Sequence, residues 1–195
     1  MKLAITVLII AILAGVGFTM YESNGDRCTR LVAEKDIPNA VEPCRAAAQQ
    51  GGFMAQYLLG VMYDNGDGVP KDAGEAVKWY RKAAEQGHYI AEYLLGFAYH
   101  NGKGVVQDYG EALKWYRKAA EQGVADAQHN LGLMYISGEG VKRNPVEAYA
   151  WFDTAASQGQ ETAVKARDLL AQQLAAAQLA KAKQLSEQYR STYIH

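Results

Sequence analysis

Sliding the sequence over itself by 36 residues brings the same residue types into coincidence along more than half of its length, and a period of that size constrains the fold more than any local motif. Ala55, Ala91, Ala127 and Ala163 share one register position; Gly60, Gly96 and Gly132 another; Tyr63, Tyr99 and Tyr135 a third. The second half of the period carries Ala76, Ala112 and Ala148, then Trp79, Trp115 and Trp151, then Gly87, Gly123 and Gly159. Three full units are present. Each unit can bury its apolar face only against its neighbours, so the two ends of the array need caps.

Each unit reads as two helices. In the first, which runs from Ala55 to about Asn65 in the first copy, Ala55, Leu59 and Met62 recur at helical spacing. A helix so short is not stable alone and has to be held by packing. The second opens on a capping signal, Asp72-Ala73-Gly74-Glu75, repeated as Asp108 to Glu111 and as Asn144-Pro145-Val146-Glu147. It closes at Gly87, Gly123 and Gly159, which suit a left-handed helix terminus. Between the helices stands an N-G-x-G-V stretch such as Asn65 to Val69. A phosphate loop would follow a strand, occur once and end in Lys or Ser/Thr, whereas this stretch joins two helices and recurs; Gly66 and Gly68 read as positive-φ turn residues.

The pattern A-x-x-x-L-G-x-x-Y-x-x-G-x-G-V-x-x-D/N-x-x-E-A-x-x-W-x-x-x-A-A-x-x-G, in three near-complete copies from Ala55 to Gly159, resembles the SEL-one-like repeat, a relative of the tetratricopeptide repeat. The resemblance implies an all-α fold: a right-handed α-solenoid of stacked antiparallel helix pairs. The segment "LLAQQLAAAQLAKAKQLSEQY" resembles the capping helix that closes such arrays, so residues 163–195 are expected to form a C-terminal capping helix behind three repeats at 55–162. Residues 21–54 read as a degenerate first repeat: Asn39 to Gly51 aligns with a second helix, with Pro43 where the Trp belongs. The resemblance further implies a non-enzymatic scaffold without cofactors, whose first helices line a concave surface that holds a protein or peptide.

Ahead of the array, one lysine precedes an uninterrupted apolar run from Leu3 to Met20. Residues 1–20 are either a signal peptide with a weak small-x-small cleavage site or a short N-terminal membrane anchor. Both place everything after Met20 across the membrane, with Lys2 on the cytoplasmic side, which points to a periplasmic protein. In an exported chain the pair Cys28 and Cys44 reads as a disulfide, and two cysteines without nearby histidines are too few for a zinc site. Such a bridge stabilises the degenerate first pair by about 3 kcal/mol on the chain-entropy model. A net charge of −1, from 20 basic and 21 acidic residues, argues against a nucleic-acid partner.

Comparing the copies separates scaffold from surface. Positions that change chemistry at helical spacing on the first helix form a stripe: Met54, Tyr57, Val61 and Asp64; Ile90, Tyr93, Phe97 and His100; Asp126, His129, Leu133 and Ile136. On the recognition reading, Tyr57, Tyr93 and Phe97 are aromatic anchors for a partner; on the packing reading, the two tyrosines fill space between repeats. The three tryptophans, each set before an Ala-Ala pair, read as core rather than as sugar-stacking platforms.

Catalytic patterns are absent. His88, His100, His129 and His195 form no metal-binding spacing, Ser137 near His129 lacks an oxyanion element, and one carboxylate per loop, Asp67 or Glu139, is too few for calcium. Together with the apolar run at 3–20, the resemblance implies an envelope interaction protein. The resemblance allows an immunity protein that inhibits a secreted effector such as a phospholipase, or an envelope regulator or assembly factor. An enzyme of the β-lactamase kind, linked with cysteine-rich relatives, is disfavoured by two cysteines where those relatives carry a pair per repeat.

Overall fold

The structure, a computed structural model, describes residues 22–194, so the apolar run at 3–20 lies outside the described residues. The described chain forms ten helices and no strand: α1 (Asn24–Ala33), α2 (Ile37–Gln49), α3 (Phe53–Asn65), α4 (Ala73–Glu85), α5 (Tyr89–Asn101), α6 (Tyr109–Glu121), α7 (Ala125–Ser137), α8 (Pro145–Ser157), α9 (Glu161–Gln173) and α10 (Ala176–Tyr193). Each helix packs on the next up to α9, and α10 folds back onto α8. The repeats are the pairs α3–α4, α5–α6 and α7–α8, each helix 13 residues long.

The helix boundaries follow local chemistry. Asp72 accepts from the Glu75 N–H at 3.0 Å, and Asp108 and Asn144 cap α6 and α8 in the same way. The glutamate of the capping motif does not reach back to the cap. The cap's own N–H donates instead to the carbonyl of Tyr63, Tyr99 or Tyr135 on the preceding helix, tying the two helices of a unit together. This frees Glu75, Glu111 and Glu147 for other partners: Lys78, Lys114 and Tyr189. Gly66, Gly102 and Gly138 end the first helices in the left-handed conformation.

Gly60, Gly96 and Gly132 serve packing. A Cβ there would stand 2.6 Å from the Tyr80 ring or 2.7 Å from the Tyr116 ring, and would overlap Phe152 in the third unit. The recurrent glycine thus lets an aromatic ring of the second helix lie against the first helix's backbone.

Among the described residues the buried side chains form two clusters. One, around α1 to α3, contains Cys28, Val41, Cys44, Ala48, Leu59 and Met62. The other runs from Val77 to Ala182 and holds Tyr99, Trp115, Tyr116, Tyr135, Tyr149, Trp151 and Phe152. A Cys28–Cys44 disulfide joins α1 to α2, which identifies residues 24–49 as a complete helix pair despite Pro43 inside α2. An interior proline removes one helical hydrogen bond, and the covalent tie at the next residue helps to offset that. The bridge also points to an oxidising, exported location. No helix among the described residues is long and apolar enough to cross a membrane.

Two expectations are corrected. Residues 163–195 do not form one capping helix. The chain breaks at Leu174 and Ala175, both extended, so that α9 completes a fourth first helix and α10 turns back as the cap. No proline or glycine marks the break; α10's packing onto α8 imposes it. Nor are the three tryptophans equivalent: Trp115 and Trp151 are buried, whereas Trp79 is half-buried against the α1–α3 cluster, with the Lys82 ammonium 4.0 Å from its ring centre.

Candidate interaction face

The first helices α3, α5, α7 and α9 present equivalent positions side by side. Among the described residues, six of the seven large apolar side chains left exposed lie on them: Phe53, Met54, Tyr89, Phe97, Leu133 and Leu169. The last three continue one register position, 36 residues apart, with exposures of 39%, 42% and 60%. Val61 begins the same row and is half-buried. Scattered apolar residues on a surface need no explanation, but a row in register on one face does.

Tyr57 stacks on His88 of the next repeat, centroids 4.6 Å apart, and Tyr93 lies 5.9 Å from Tyr116 of its own repeat; both are half-buried. Burial raises both phenol pKa values above the usual value. His88 caps α5 by accepting from the Ala91 N–H and is flanked by the exposed rings of Phe53 and Tyr89. His129 packs 5.4 Å from Phe152, and burial lowers its pKa.

One row further along the helices, neighbouring units are bridged by charge. Asp64 pairs with Lys103 at 2.6 Å, and His100, one unit on, stands 3.3 Å from Glu139 and edge-on to Tyr109 and Tyr116. At the third junction the same two positions are Ile136 and Ala175, and no ion pair can form. The consequence is visible in the cavities. Beside Asp64 and Lys103 the groove between units holds only about 80 Å³. Between α7, α8 and α9 it widens to about 230 Å³, lined by Leu133, Ile136, Phe152, Leu169 and Leu170.

The stripe read from sequence therefore divides. Tyr57 is engaged with the next repeat, Tyr93 and His129 pack on rings of their own repeat's second helix, Asp64 and His100 are ion-paired, and Phe97 and Leu133 project. Sequence comparison missed Leu169, Phe53, Tyr89 and the bridging residues Lys103 and Glu139. Leu169 was within reach, because it stands 36 residues after Leu133, but it fell in the segment assigned to the cap. No group of three or more His, Cys, Asp or Glu among the described residues could hold a metal ion. The Ser137 hydroxyl donates to the Met134 carbonyl, while His129 packs against Phe152.

Stacked antiparallel helix pairs presenting one apolar first-helix face define a helical solenoid of the tetratricopeptide-like class. Its three full units match the Sel1 repeat at residues 53–88, 90–124 and 125–160, and the chain belongs to that family. It is similar to the crystal structure of a Sel1 repeat protein from Oxalobacter formigenes, at 38% identity and a TM-score of 0.71, covering 75% of this chain and 59% of that one. A protective antigen present in uropathogenic Escherichia coli strains, displaying an SLR fold, is similar at 37% identity and a TM-score of 0.62, over 80% of this chain and 41% of that one. The cysteine rich protein B of Helicobacter pylori follows at 25% identity and a TM-score of 0.52, over 68% of this chain and 95% of that one. The chain thus spans 59% and 41% of the length of the first two. No curated protein matches the sequence. The Sel1-repeat scaffold is consistent with protein–protein interaction.

Proposed function

We propose that this protein is a non-enzymatic binding scaffold of the bacterial envelope, which holds a protein or peptide partner on the face formed by α3, α5, α7 and α9. The observation that carries this reading is the row Phe97, Leu133 and Leu169: three large apolar side chains kept in solvent at one register position, beside an apolar pocket at the α7–α9 junction. An isolated chain gains nothing from exposing them, and an apolar side chain of a partner would cover both row and pocket. Tyr57, Val61, Asp64, Tyr93, His100 and His129 form the floor and rim of the same surface. The exported location rests on the disulfide and on the apolar run at 3–20.

Pull-down from the native envelope with Phe97→Glu, Leu133→Glu and Leu169→Glu tests the reading. Each exposed position tolerates a carboxylate, so the circular-dichroism melt is expected to stay in place. Partner retention is expected to drop at least about 30-fold, corresponding to the ~2 kcal/mol of an interface hot spot. Undiminished retention by all three variants overturns the assignment of this face. An inhibitor of a secreted effector would use the same surface, so a captured effector whose activity the wild type suppresses and Leu169→Glu does not would establish that role.

A further inference from the structure

The second residue of each unit's first-helix motif is Gln56, Glu92 or Gln128, all three buried. In the first and third copies the amide does two things. Its Nε2 donates to the carbonyl of Ala48 or Ala120, at 3.1 and 3.0 Å, and its Oε1 accepts from Gln86 or Gln158, at 2.8 Å each. One side chain therefore ties the end of the preceding second helix to the end of the following one. In the middle copy Glu92 Oε2 accepts from Gln122 at 2.6 Å, so the acceptor half of the latch is preserved. The other half is chemically different. The equivalent carbonyl is that of Ala84, and an ionised carboxylate has no proton to donate to it.

We propose that Glu92 is a proton-operated latch between the first and second repeats. Protonated, its carboxyl donates to the Ala84 carbonyl and completes the bridge from α4 to α6 as glutamine does in the other units. Ionised, it faces that carbonyl with a second acceptor and leaves a negative charge in a site only 3% exposed, so the α4–α5 junction loosens. Two helices pack against α5 here. From α6, Lys118 and the hydrogen bond donated by Gln122 favour the ionised form and Glu121 opposes it; α4 offers the Ala84 carbonyl, at the helix end that also accepts from the Gly87 N–H. Burial outweighs Lys118 and the Gln122 hydrogen bond together and holds the Glu92 carboxyl above the usual carboxylate range. The native state thus keeps a proton that the unfolded chain releases. The stabilisation is complete below about pH 4.5, the ordinary glutamate value, and is lost as pH rises through the raised folded value.

Thermal unfolding of the protein from pH 4 to pH 8, for wild type, Glu92→Gln and Gln128→Glu, tests the latch. Glu92→Gln is expected to raise the midpoint at pH 8 by about 2–4 °C and to flatten its decline with pH. Gln128→Glu should install a second decline of the same sign. Hydrogen exchange locates the effect: in wild type the amides at the end of α4 and the start of α5 lose protection as pH rises, and in Glu92→Gln they do not. If Glu92→Gln keeps the wild-type pH dependence in both measurements, the latch does not exist.

Discussion

The two ends of the array close the same kind of open face by opposite means. At the amino end the α1–α2 pair has a core of small aliphatic residues around Cys28 and Cys44, with no aromatic side chain among its fully buried members, and a covalent bond holds it. At the carboxyl end α10 covers α8 with rings: Tyr189 and Tyr193 stack on Trp151 at 4.3 and 5.8 Å. The last repeat is altered to receive them. Glu147 accepts from the Tyr189 hydroxyl at 2.7 Å. At the register position where Arg81 and Arg117 bond Tyr99 and Tyr135, the third unit carries Asp153, which takes Arg167 and Arg190 instead. A repeat that ends a stack thus keeps its packing residues and exchanges its polar ones for the cap's partners. Where apolar area is short, a cross-link does the same task.

The largest test of this contrast is removal of the ring on which the carboxyl cap rests. Trp151→Ala is expected to cost about 3–5 kcal/mol, measured by denaturant unfolding. Trp79→Ala, at the same register position but only partly buried, should cost less. Equal losses would mean that the tryptophans stabilise each repeat from within and that α10 adds little.

That pair of variants also marks where sequence reasoning reached its limit. The 36-residue period, the caps at Asp72, Asp108 and Asn144, the turn glycines and the cysteine pair were all legible, because each is fixed by contacts within one unit or by local backbone geometry. Trp79 and Trp115 looked alike because comparing copies treats them as equal, whereas burial depends on what lies beyond the unit. The break at Leu174 carries no local signal for the same reason: packing against α8, not propensity, sets it. On the candidate face, the aromatic positions could be read from changing chemistry. That Asp64 and His100 are held by Lys103 and Glu139 could not, since those partners lie 39 residues on in the next unit. The wider third groove coincides with the loss of that pair at Ile136 and Ala175.

At the amino end, Cys28→Ala with Cys44→Ala removes a bridge spanning 16 residues and is expected to lower stability by about 3 kcal/mol. Because solenoid stability is a sum of units and their neighbour interfaces, the loss should be local. Hydrogen exchange is expected to quicken in α1 and α2 while α7 to α10 keep their protection. Uniform quickening would show that the array opens as a single cooperative unit and that its two ends are not independently held.

The smallest effect should come from the polar adaptation of the last repeat. Asp153 is mostly buried and pairs with two arginines that are about one-third exposed or less, an arrangement between a surface ion pair and a desolvated one. Asp153→Asn keeps the shape and removes the charge, so the expected cost is about 1 kcal/mol, shrinking in high salt as the wild-type attraction is screened. It should appear first as faster exchange in α10, which Arg190 ties down, with α1 and α2 unchanged. A loss of stability that does not respond to salt would instead assign Asp153 a hydrogen-bonding role. The exchange from Arg81 and Arg117 to Asp153 would then reflect geometry at the cap rather than charge.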